Sequence, residues 1–157
     1  MSVARERAIT ALSPGAAFDL WVDTPRWPTF VDGFGAVERV SDLWPEPGAT
    51  VVWRSRPGGR GTVTETVVEV GRGARFVTEV FDDRSHGRQT VMFAADEGGC
   101  LVDAELDYSL DQRGPVMAVT DLLFVRRSMR DSIRRTLERF AVEAREEAAL
   151  GGDSTRR

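Results

Sequence analysis

The chain has 157 residues, of which 41% are hydrophobic and 29% are charged, and its formal net charge is −4. This length and composition fit one folded domain, and the acidic balance argues against nucleic acid as the main partner, because phosphate binding favours a basic face. All 21 lysine-plus-arginine positions are arginine, which excludes a lysine nucleophile or Schiff base.

One cysteine, Cys100, and one histidine, His86, limit the chemistry further. A single cysteine forms no intrachain disulfide, and a lone histidine without a cysteine cluster makes no zinc site, so we expect no metal and no cofactor. No stretch is long and apolar enough to span a bilayer, and the charged N-terminus does not resemble a signal peptide. We therefore expect a cytoplasmic protein without stable membrane insertion.

The N-terminal part predicts a strand followed by two short helices. Residues 3–11 alternate in character, which indicates a strand. Ser13 and Thr24 each precede a proline, which is typical of a helix start because the hydroxyl can cap the helix and proline suits its first position. The second of these helices carries Trp27 and Phe30 and is predicted to end at the next glycine.

From residue 34 the apolar period changes to two, which predicts six further strands separated by turns rich in glycine, proline and aspartate. In the last of them Val102, Ala104, Leu106 and Tyr108 share one face, while the other face is almost entirely polar. This pattern is typical of an antiparallel sheet that is covered on one side only. The predicted strands span residues 34–41, 49–56, 61–70, 75–81, 88–95 and 101–110.

The C-terminal part predicts one long helix, because apolar residues recur at spacings of three and four along it. Gly151 and its neighbouring glycine mark the expected end. A helix over residues 116–150 would be longer than the strands, so we expect a break or loosening before Leu122. We take residues 1–150 as a single domain and residues 151–157 as a disordered tail.

Several short segments carry a likeness to known proteins, and their order matters more than any one of them. They are residues 5–9, Ser13-Pro14 with Phe18 and Leu20, residues 24–28, 48–50 and 98–99, and the helix end at 135–147. Together they resemble the START/Bet v 1-like (SRPBCC) superfamily, specifically its bacterial polyketide cyclase/dehydrase and lipid-transport group. The resemblance covers nearly the whole chain and implies an α+β helix-grip fold. In that fold a curved seven-stranded antiparallel sheet wraps a long C-terminal helix, with two short helices between strands 1 and 2.

A sheet that curves around one helix encloses an apolar cavity unless large side chains fill it. Alternate loops of an antiparallel sheet lie at the same end. The loops at residues 57–60, 82–87 and 111–115 should therefore meet near the start of the long helix, and we expect a mobile entrance there.

The start of the long helix is apolar on more than one face, and this surplus needs a reason. We favour a lid lined by Met117, Phe124 and Met129, whose thioethers adapt to varied ligands. Ordinary packing against the short helices and a dimer contact are the alternatives. Asp121, in the same segment, either faces the pocket or caps a helix that begins late, and we favour the cap.

The candidate pocket residues are those predicted to face inward from the helices and the sheet. They are Trp27, Phe30, Trp53, Val67, Phe93, Leu106, Tyr108, Met117, Asp121, Phe124, Val125 and Met129.

Two polar residues, Tyr108 and Glu65, are the candidate catalytic groups. Tyr108, the only tyrosine, is either a ligand anchor and proton donor or a core side chain whose hydroxyl is bonded internally. If Val63 and Val67 face inward, Glu65 also faces the cavity, where burial would raise its pKa and make it a general base. If the neighbouring threonines face inward, Glu65 is exposed. We favour the structural alternative for both residues and keep both as candidates.

Three other residues are given structural roles. Trp53 is expected to face inward and Arg54 outward, although an inward arginine would bind a carboxylate or polarise a ketone. His86 lies in a predicted turn, where histidine is usually solvated. Cys100 is expected to pack in the core.

Three functions follow from the resemblance and the predicted cavity. We rank first the binding of a small hydrophobic molecule, such as a lipid or a polyketide-like compound. The second is a polyketide cyclase, aromatase or dehydratase in which Tyr108, Glu65 or Arg54 moves protons. The third is a non-enzymatic regulatory protein. The expected partner is a small hydrophobic molecule, and a homodimer stays open.

Overall fold

The computed structural model describes the backbone of residues 2–111 and 119–154, and the side chains of residues 2–111 and 124–151. In these ranges the chain forms seven strands, three α-helices and one 3-10 turn. The strands are β1 (Ser2–Thr10), β2 (Phe34–Val40), β3 (Thr50–Ser55), β4 (Thr62–Gly71), β5 (Arg75–Phe81), β6 (Ser85–Asp96) and β7 (Gly99–Leu110). The helices are α1 (Pro14–Val22), α2 (Trp27–Phe30) and α3 (Val119–Ser154), and the 3-10 turn spans Thr24–Arg26.

All seven strands belong to one antiparallel sheet in the order β1-β7-β6-β5-β4-β3-β2. The pairing is irregular between β2 and β3 and between β4 and β5, and such bulges bend a strand and increase its twist. The predicted α+β architecture is confirmed: one open curved sheet, a long C-terminal helix, and two short helices between β1 and β2.

The fully buried apolar contacts of helix α3 lie in its C-terminal half. Leu137, Phe140 and Ala144 are fully buried there. The ring of Phe140 lies 5.2 Å from that of Trp21 in α1 and 5.1 Å from that of Phe30 in α2. This aromatic contact therefore joins all three helices. Burying a side chain of this size stabilises a fold by about 1.5–3 kcal/mol.

The predicted helix starts are found with one difference. Ser13 caps α1, because its Oγ accepts a hydrogen bond from the backbone nitrogen of Ala16 at 3.3 Å, and Pro14 occupies the first position. Thr24, by contrast, opens the 3-10 turn, and α2 begins only at Trp27.

The end of α3 was predicted too early, because the helix continues through Gly151 to Ser154. A glycine inside a helix costs only about 1 kcal/mol relative to alanine, so it does not have to end one. The helix is also continuous from Val119 across Leu122, so no break lies between these residues. Residues 116–118 lie outside the described residues, and a break there stays a prediction. No helix in the described part of the chain is long and apolar enough to cross a membrane.

The turn before β6 is shorter than predicted. The carboxylate of Asp82 accepts hydrogen bonds from the backbone nitrogens of Arg84 and Ser85, at 2.9 and 2.8 Å, which closes the turn within three residues. His86 is therefore in strand β6, opposite Phe81, and not in a turn.

Two of the three loops predicted to meet at one end do so, and Asp111, the first residue of the third, lies beside them; residues 112–115 lie outside the described residues. Arg60, in the β3–β4 loop, places its Nε 2.7 Å from Oδ2 of Asp82 in the β5–β6 turn. The backbone nitrogen of Asp111, just after β7, donates to the carbonyl oxygen of Arg84 at 2.8 Å. The pocket between the sheet and α3 reaches these loops through Arg60.

Candidate functional site

A pocket of about 70 Å³ lies between the inner face of the sheet and α3, and residues of α1 and α2 complete its wall. Six of the predicted residues line it: Trp27, Phe30, Trp53, Glu65, Leu106 and Met129. The other described lining residues are not among the predicted pocket residues, although the loop of Arg60 and the inner face that carries Ala104 were expected. They are Trp21, Val31, Asp32, Arg60, Gln89, Ala104, Ser132, Ile133 and Thr136.

Some of the missed residues carry a signal in the sequence and others carry none. Gln89 has the same strand parity as the inward-facing Val91 and Phe93, so alternation along β6 could have found it. Ile133 and Thr136 follow Met129 on one face of α3 at spacings of four and seven. Asp32 lies between α2 and β2, where no periodicity applies.

Glu65 is buried in the pocket wall, so the exposed alternative favoured from the sequence is wrong. Val63 and Val67 on the same strand are also buried, which fixes the inward face of β4. The indole nitrogen of Trp53 donates to Oε1 of Glu65 at 3.2 Å, and the Thr78 hydroxyl lies 3.4 Å from Oε2. Burial raises the pKa of the Glu65 carboxyl above its usual value, although these two hydrogen bonds and the charge of Arg60 work against the rise.

Arg60 is the only cation among the described residues that line the pocket, and it is already paired. Its Nε bonds to Asp82, whose side chain is almost completely buried and also accepts from the Ser85 hydroxyl at 2.9 Å. Burial alone would raise the pKa of Asp82, but the charge of Arg60 and the hydrogen bonds to this carboxylate outweigh burial and lower it. The pair holds the β3–β4 loop against the β5–β6 turn at one end of the pocket.

Asp32 fixes the other wall by joining the end of α2 to α3. Its carboxylate accepts from the guanidinium of Arg135 at 3.0 and 3.1 Å, from Arg139 at 3.2 Å and from the Ser132 hydroxyl at 2.9 Å. Its backbone nitrogen donates to Thr136 Oγ1 at 3.0 Å. Burial alone would raise the pKa of Asp32, but these hydrogen bonds and the two arginine charges outweigh it and lower the pKa.

Tyr108 is buried but is not among the residues that line the pocket. It packs with Ala4 and Leu106 in a small cluster beside Met129, opposite Ser2 in the pairing of β1 with β7. Burial raises the pKa of its hydroxyl, against the effects of a hydrogen bond with Ser2 and the charge of Arg126. The position of Tyr108 is therefore that of a core side chain whose hydroxyl is bonded internally.

The remaining predicted pocket residues lie elsewhere. Val67 and Phe93 are buried in the main core but do not reach the pocket surface. Val125 is half-buried, and Phe124 is 73% exposed on the outer side of α3, because the helix presents it away from the sheet. Met117 and the side chain of Asp121 lie outside the described residues.

Other sequence-based interpretations have mixed outcomes. Trp53 faces inward as expected, and Arg54 faces outward, where it pairs with Glu38. Cys100 is packed in the core. His86 is exposed, with Nδ1 3.0 Å from Oδ1 of Asp111. Within the described residues, no group of three or more histidine, cysteine, aspartate or glutamate side chains could hold a metal ion.

Several solved structures share this fold at low sequence identity. The di-domain ARO/CYC StfQ from the steffimycin biosynthetic pathway superposes with a TM-score of 0.75 and 14% identity, over 94% of this chain and 51% of StfQ. TTHA0849 from Thermus thermophilus gives a TM-score of 0.69 and 16% identity, over 96% and 99% of the two chains. CV1439 from Chromobacterium violaceum gives 0.68 and 13%, over 92% and 98%.

At these identities the superpositions establish the fold and not the chemistry. The chain spans about half of StfQ, which is a two-domain protein. No curated protein matches the chain by sequence. A sequence family described as polyketide cyclase / dehydrase and lipid transport matches residues 1–145.

Proposed function

The chain belongs to the polyketide cyclase / dehydrase and lipid transport family, and on this basis we propose that it binds a small hydrophobic molecule in the pocket between the sheet and α3. The single observation that carries the proposal is the character of the pocket wall. Nine of the fifteen described lining residues are aromatic or aliphatic, and the buried carboxyl of Glu65 lies among them. Small-molecule sites are typically apolar with a few polar groups that orient the ligand.

The volume of the pocket sets a condition on this function. About 70 Å³ holds roughly two water molecules, whereas an apolar cavity of about 150 Å³ takes benzene and typical ligand sites measure roughly 300–1,000 Å³. Aromatic rings of α1, α2 and β3 occupy much of the interior. A ligand therefore has to widen the pocket.

The wall best suited to move is the N-terminal half of α3, which is held mainly by polar contacts. Arg126 and Arg130 bond to Ser2 and Glu6 of β1, and Asp32 binds the end of this half through Ser132 and Arg135. No described side chain from Phe124 to Thr136 is fully buried, in contrast to the half that contains Phe140. Met129, which lines the pocket from this half, has an unbranched and adaptable side chain. Displacement of this half would enlarge the pocket while the aromatic anchor of α3 stays in place.

Native mass spectrometry of protein purified without detergent tests the proposal. We expect the wild type to carry an apolar adduct and Ala104→Leu, which fills the pocket from β7, to lack it. Ala94→Leu is the matched control, because Ala94 is exposed on β6. Circular dichroism checks folding, and Ile133→Phe fills the pocket from α3 if the first variant is unfolded. An empty wild type, or an adduct retained by both pocket variants, contradicts the proposal.

A second candidate function is acid–base catalysis on the bound molecule, as in a cyclase or dehydratase. The buried carboxyl of Glu65 favours it, because a raised pKa suits a general acid or base near neutral pH. The similarity to StfQ adds support at the level of the fold. Liquid chromatography with mass spectrometry of the released compound separates the two functions: a carrier returns the supplied compound unchanged, and an enzyme returns one of different mass or, for an isomer, of different retention time.

A further inference from the structure

Among the described residues, one polar side chain of the pocket has no hydrogen-bond partner. Glu65 bonds to Trp53 and Thr78, Arg60 bonds to Asp82, and the polar residues of α3 bond to Asp32. The side-chain amide of Gln89 lines the same pocket and makes no hydrogen bond to any described residue. A primary amide offers two donors and one acceptor, so this group is available to a ligand.

Gln89 in β6 and Glu65 in β4 project from the same face of the sheet, with strand β5 between them. Gln89 in β6 pairs with Thr78 in β5, and Thr78 bonds in turn to Glu65 in β4. The residue of β6 level with Glu65 is Gly87, and Gln89 lies two residues further along. With strands about 4.8 Å apart and about 3.4 Å per residue, the backbones that carry Gln89 and Glu65 are roughly 12 Å apart. Side chains on the inner face of a curved sheet converge, which brings both polar groups toward one end of the pocket.

The charges around these groups disfavour an anionic ligand. Glu65 makes no ion pair within 4.0 Å with any described residue, and burial without a counter-ion favours the neutral form of its carboxyl. In that form it carries an O–H donor. The one cation that the described residues place in the wall, Arg60, is paired with Asp82 at 2.7 Å. A carboxylate placed here would lose its hydration without gaining a free counter-ion.

From this arrangement we propose that the pocket selects an uncharged hydrophobic molecule with a carbonyl head, whose oxygen accepts hydrogen bonds from the Glu65 carboxyl and the Gln89 amide. This inference rests on the proposed binding function and narrows its ligand class. It favours a ketone, aldehyde or ester over the ionised head of a fatty acid.

Three small compounds of matched shape test the head group: acetophenone, ethylbenzene and benzoate, which at neutral pH are a ketone, a hydrocarbon and a carboxylate. Three of the four tryptophans line the pocket, so their indole N–H signals in nuclear magnetic resonance report binding. For the wild type we expect acetophenone to bind about tenfold more tightly than ethylbenzene, as one or two hydrogen bonds allow, and benzoate to bind most weakly.

Gln89→Leu tests the amide, and Thr90→Val is its matched control because Thr90 is the next residue of β6 and has the opposite strand parity. We expect Gln89→Leu to reduce the preference for acetophenone over ethylbenzene several-fold while ethylbenzene affinity is kept, and Thr90→Val to leave the preference unchanged. At high pH, ionisation of Glu65 removes the hydrogen-bond donor from the wild type, so its preference for acetophenone should fall. In Glu65→Gln the side-chain amide is still a donor at high pH, so the preference should persist.

The outcomes separate the two proposals. Equal affinity for acetophenone and ethylbenzene overturns the inference about the head group and leaves binding intact. Tightest binding of benzoate also overturns it, and identifies an anion site. If none of the three compounds shifts a tryptophan signal and native mass spectrometry finds no adduct, the proposed binding function fails, and this inference fails with it.

Discussion

The burial of Glu65 shows why single residues on a strand are hard to place from sequence. Along β4, Thr62, Thr64 and Thr66 alternate with Val63, Glu65 and Val67, and both sets suit a strand. A carboxyl is costly to bury, which favours the exposed register. The cost is reduced by Trp53 and Thr78, which reach Glu65 from the neighbouring strands β3 and β5. Those partners are more than ten residues away in sequence, where periodicity gives no information.

Glu65 should make the stability of the protein fall as pH rises. Its pKa is raised in the folded state, so between the ordinary value near 4.5 and the raised value the folded state holds the proton and the unfolded state does not. In that window each pH unit lowers the free energy of unfolding by up to about 1.4 kcal/mol. Glu65→Gln removes this term, so the stability of the variant relative to the wild type should increase with pH.

Urea denaturation at a series of pH values measures the difference between the two proteins. Glu69→Gln is the matched control, because Glu69 is on the same strand but is exposed and paired with Arg75. An identical pH trend for the two variants would show that the pH dependence does not come from the buried carboxyl.

At the scale of elements, local sequence signals place most helices and strands, and long-range contacts account for the misses. The helix start at Ser13 and the alternating faces of β7 are set by neighbouring residues, and both predictions are confirmed. The turn before β6 is shorter because the side chain of Asp82 closes it. The attachment of α2 to α3 through Asp32 joins residues about 100 positions apart, which no local pattern predicts.

Asp32 should be worth more to stability than an exposed ion pair of similar geometry. Its side chain is only 16% exposed and accepts several charge-assisted hydrogen bonds, so we expect Asp32→Asn to lower the free energy of unfolding at pH 7 by about 1–3 kcal/mol. Its pKa is lowered by its partners, so this stabilisation is present above the ordinary value of 3.8 and is lost as pH falls through the lower folded value. The difference between wild type and Asp32→Asn should therefore shrink in acid.

Thermal and urea denaturation at pH 7 and pH 3 measure this difference. Asp19→Asn is the control, because Asp19 also accepts two hydrogen bonds from one arginine, Arg72, but the side chains are 52% and 70% exposed. Exposed pairs contribute about 0–1 kcal/mol. Equal losses in the two variants would contradict the view that burial gives Asp32 its importance.

For the whole molecule, the order of the elements was enough to predict the fold, and strand parity was enough to predict that the β3–β4 loop meets the β5–β6 turn. The volume of the pocket was not predictable, because it depends on how aromatic rings from distant segments pack. Trp27 lies against Phe34 and Trp44, and Trp21 against Phe30 and Phe140, and these clusters fill space that a curved sheet alone would leave open. Sequence patterns mark such residues as apolar but do not give their final contacts.

The uneven attachment of α3 leads to a prediction about its motion. Because residues 124–136 include no fully buried side chain, their amides should exchange with solvent at least about tenfold faster than those of residues 137–148, whose burial adds about 1.5–3 kcal/mol per large side chain. A ligand that enters the pocket by displacing the first half and then packs against Met129 should slow exchange there and leave the second half unchanged.

Hydrogen–deuterium exchange with mass spectrometry, with and without acetophenone, resolves the two halves of α3. Phe140→Ala provides the internal comparison, because it removes the aromatic anchor. The substitution should lower the free energy of unfolding by about 3–5 kcal/mol and raise the amide exchange rate of the second half of α3 to that of the first half. Uniform exchange along α3 in the wild type would mean that the helix is held equally at both ends. The pocket would then have to widen elsewhere, through the loops joined by Arg60 and Asp82, and a ligand would slow exchange at those loops instead.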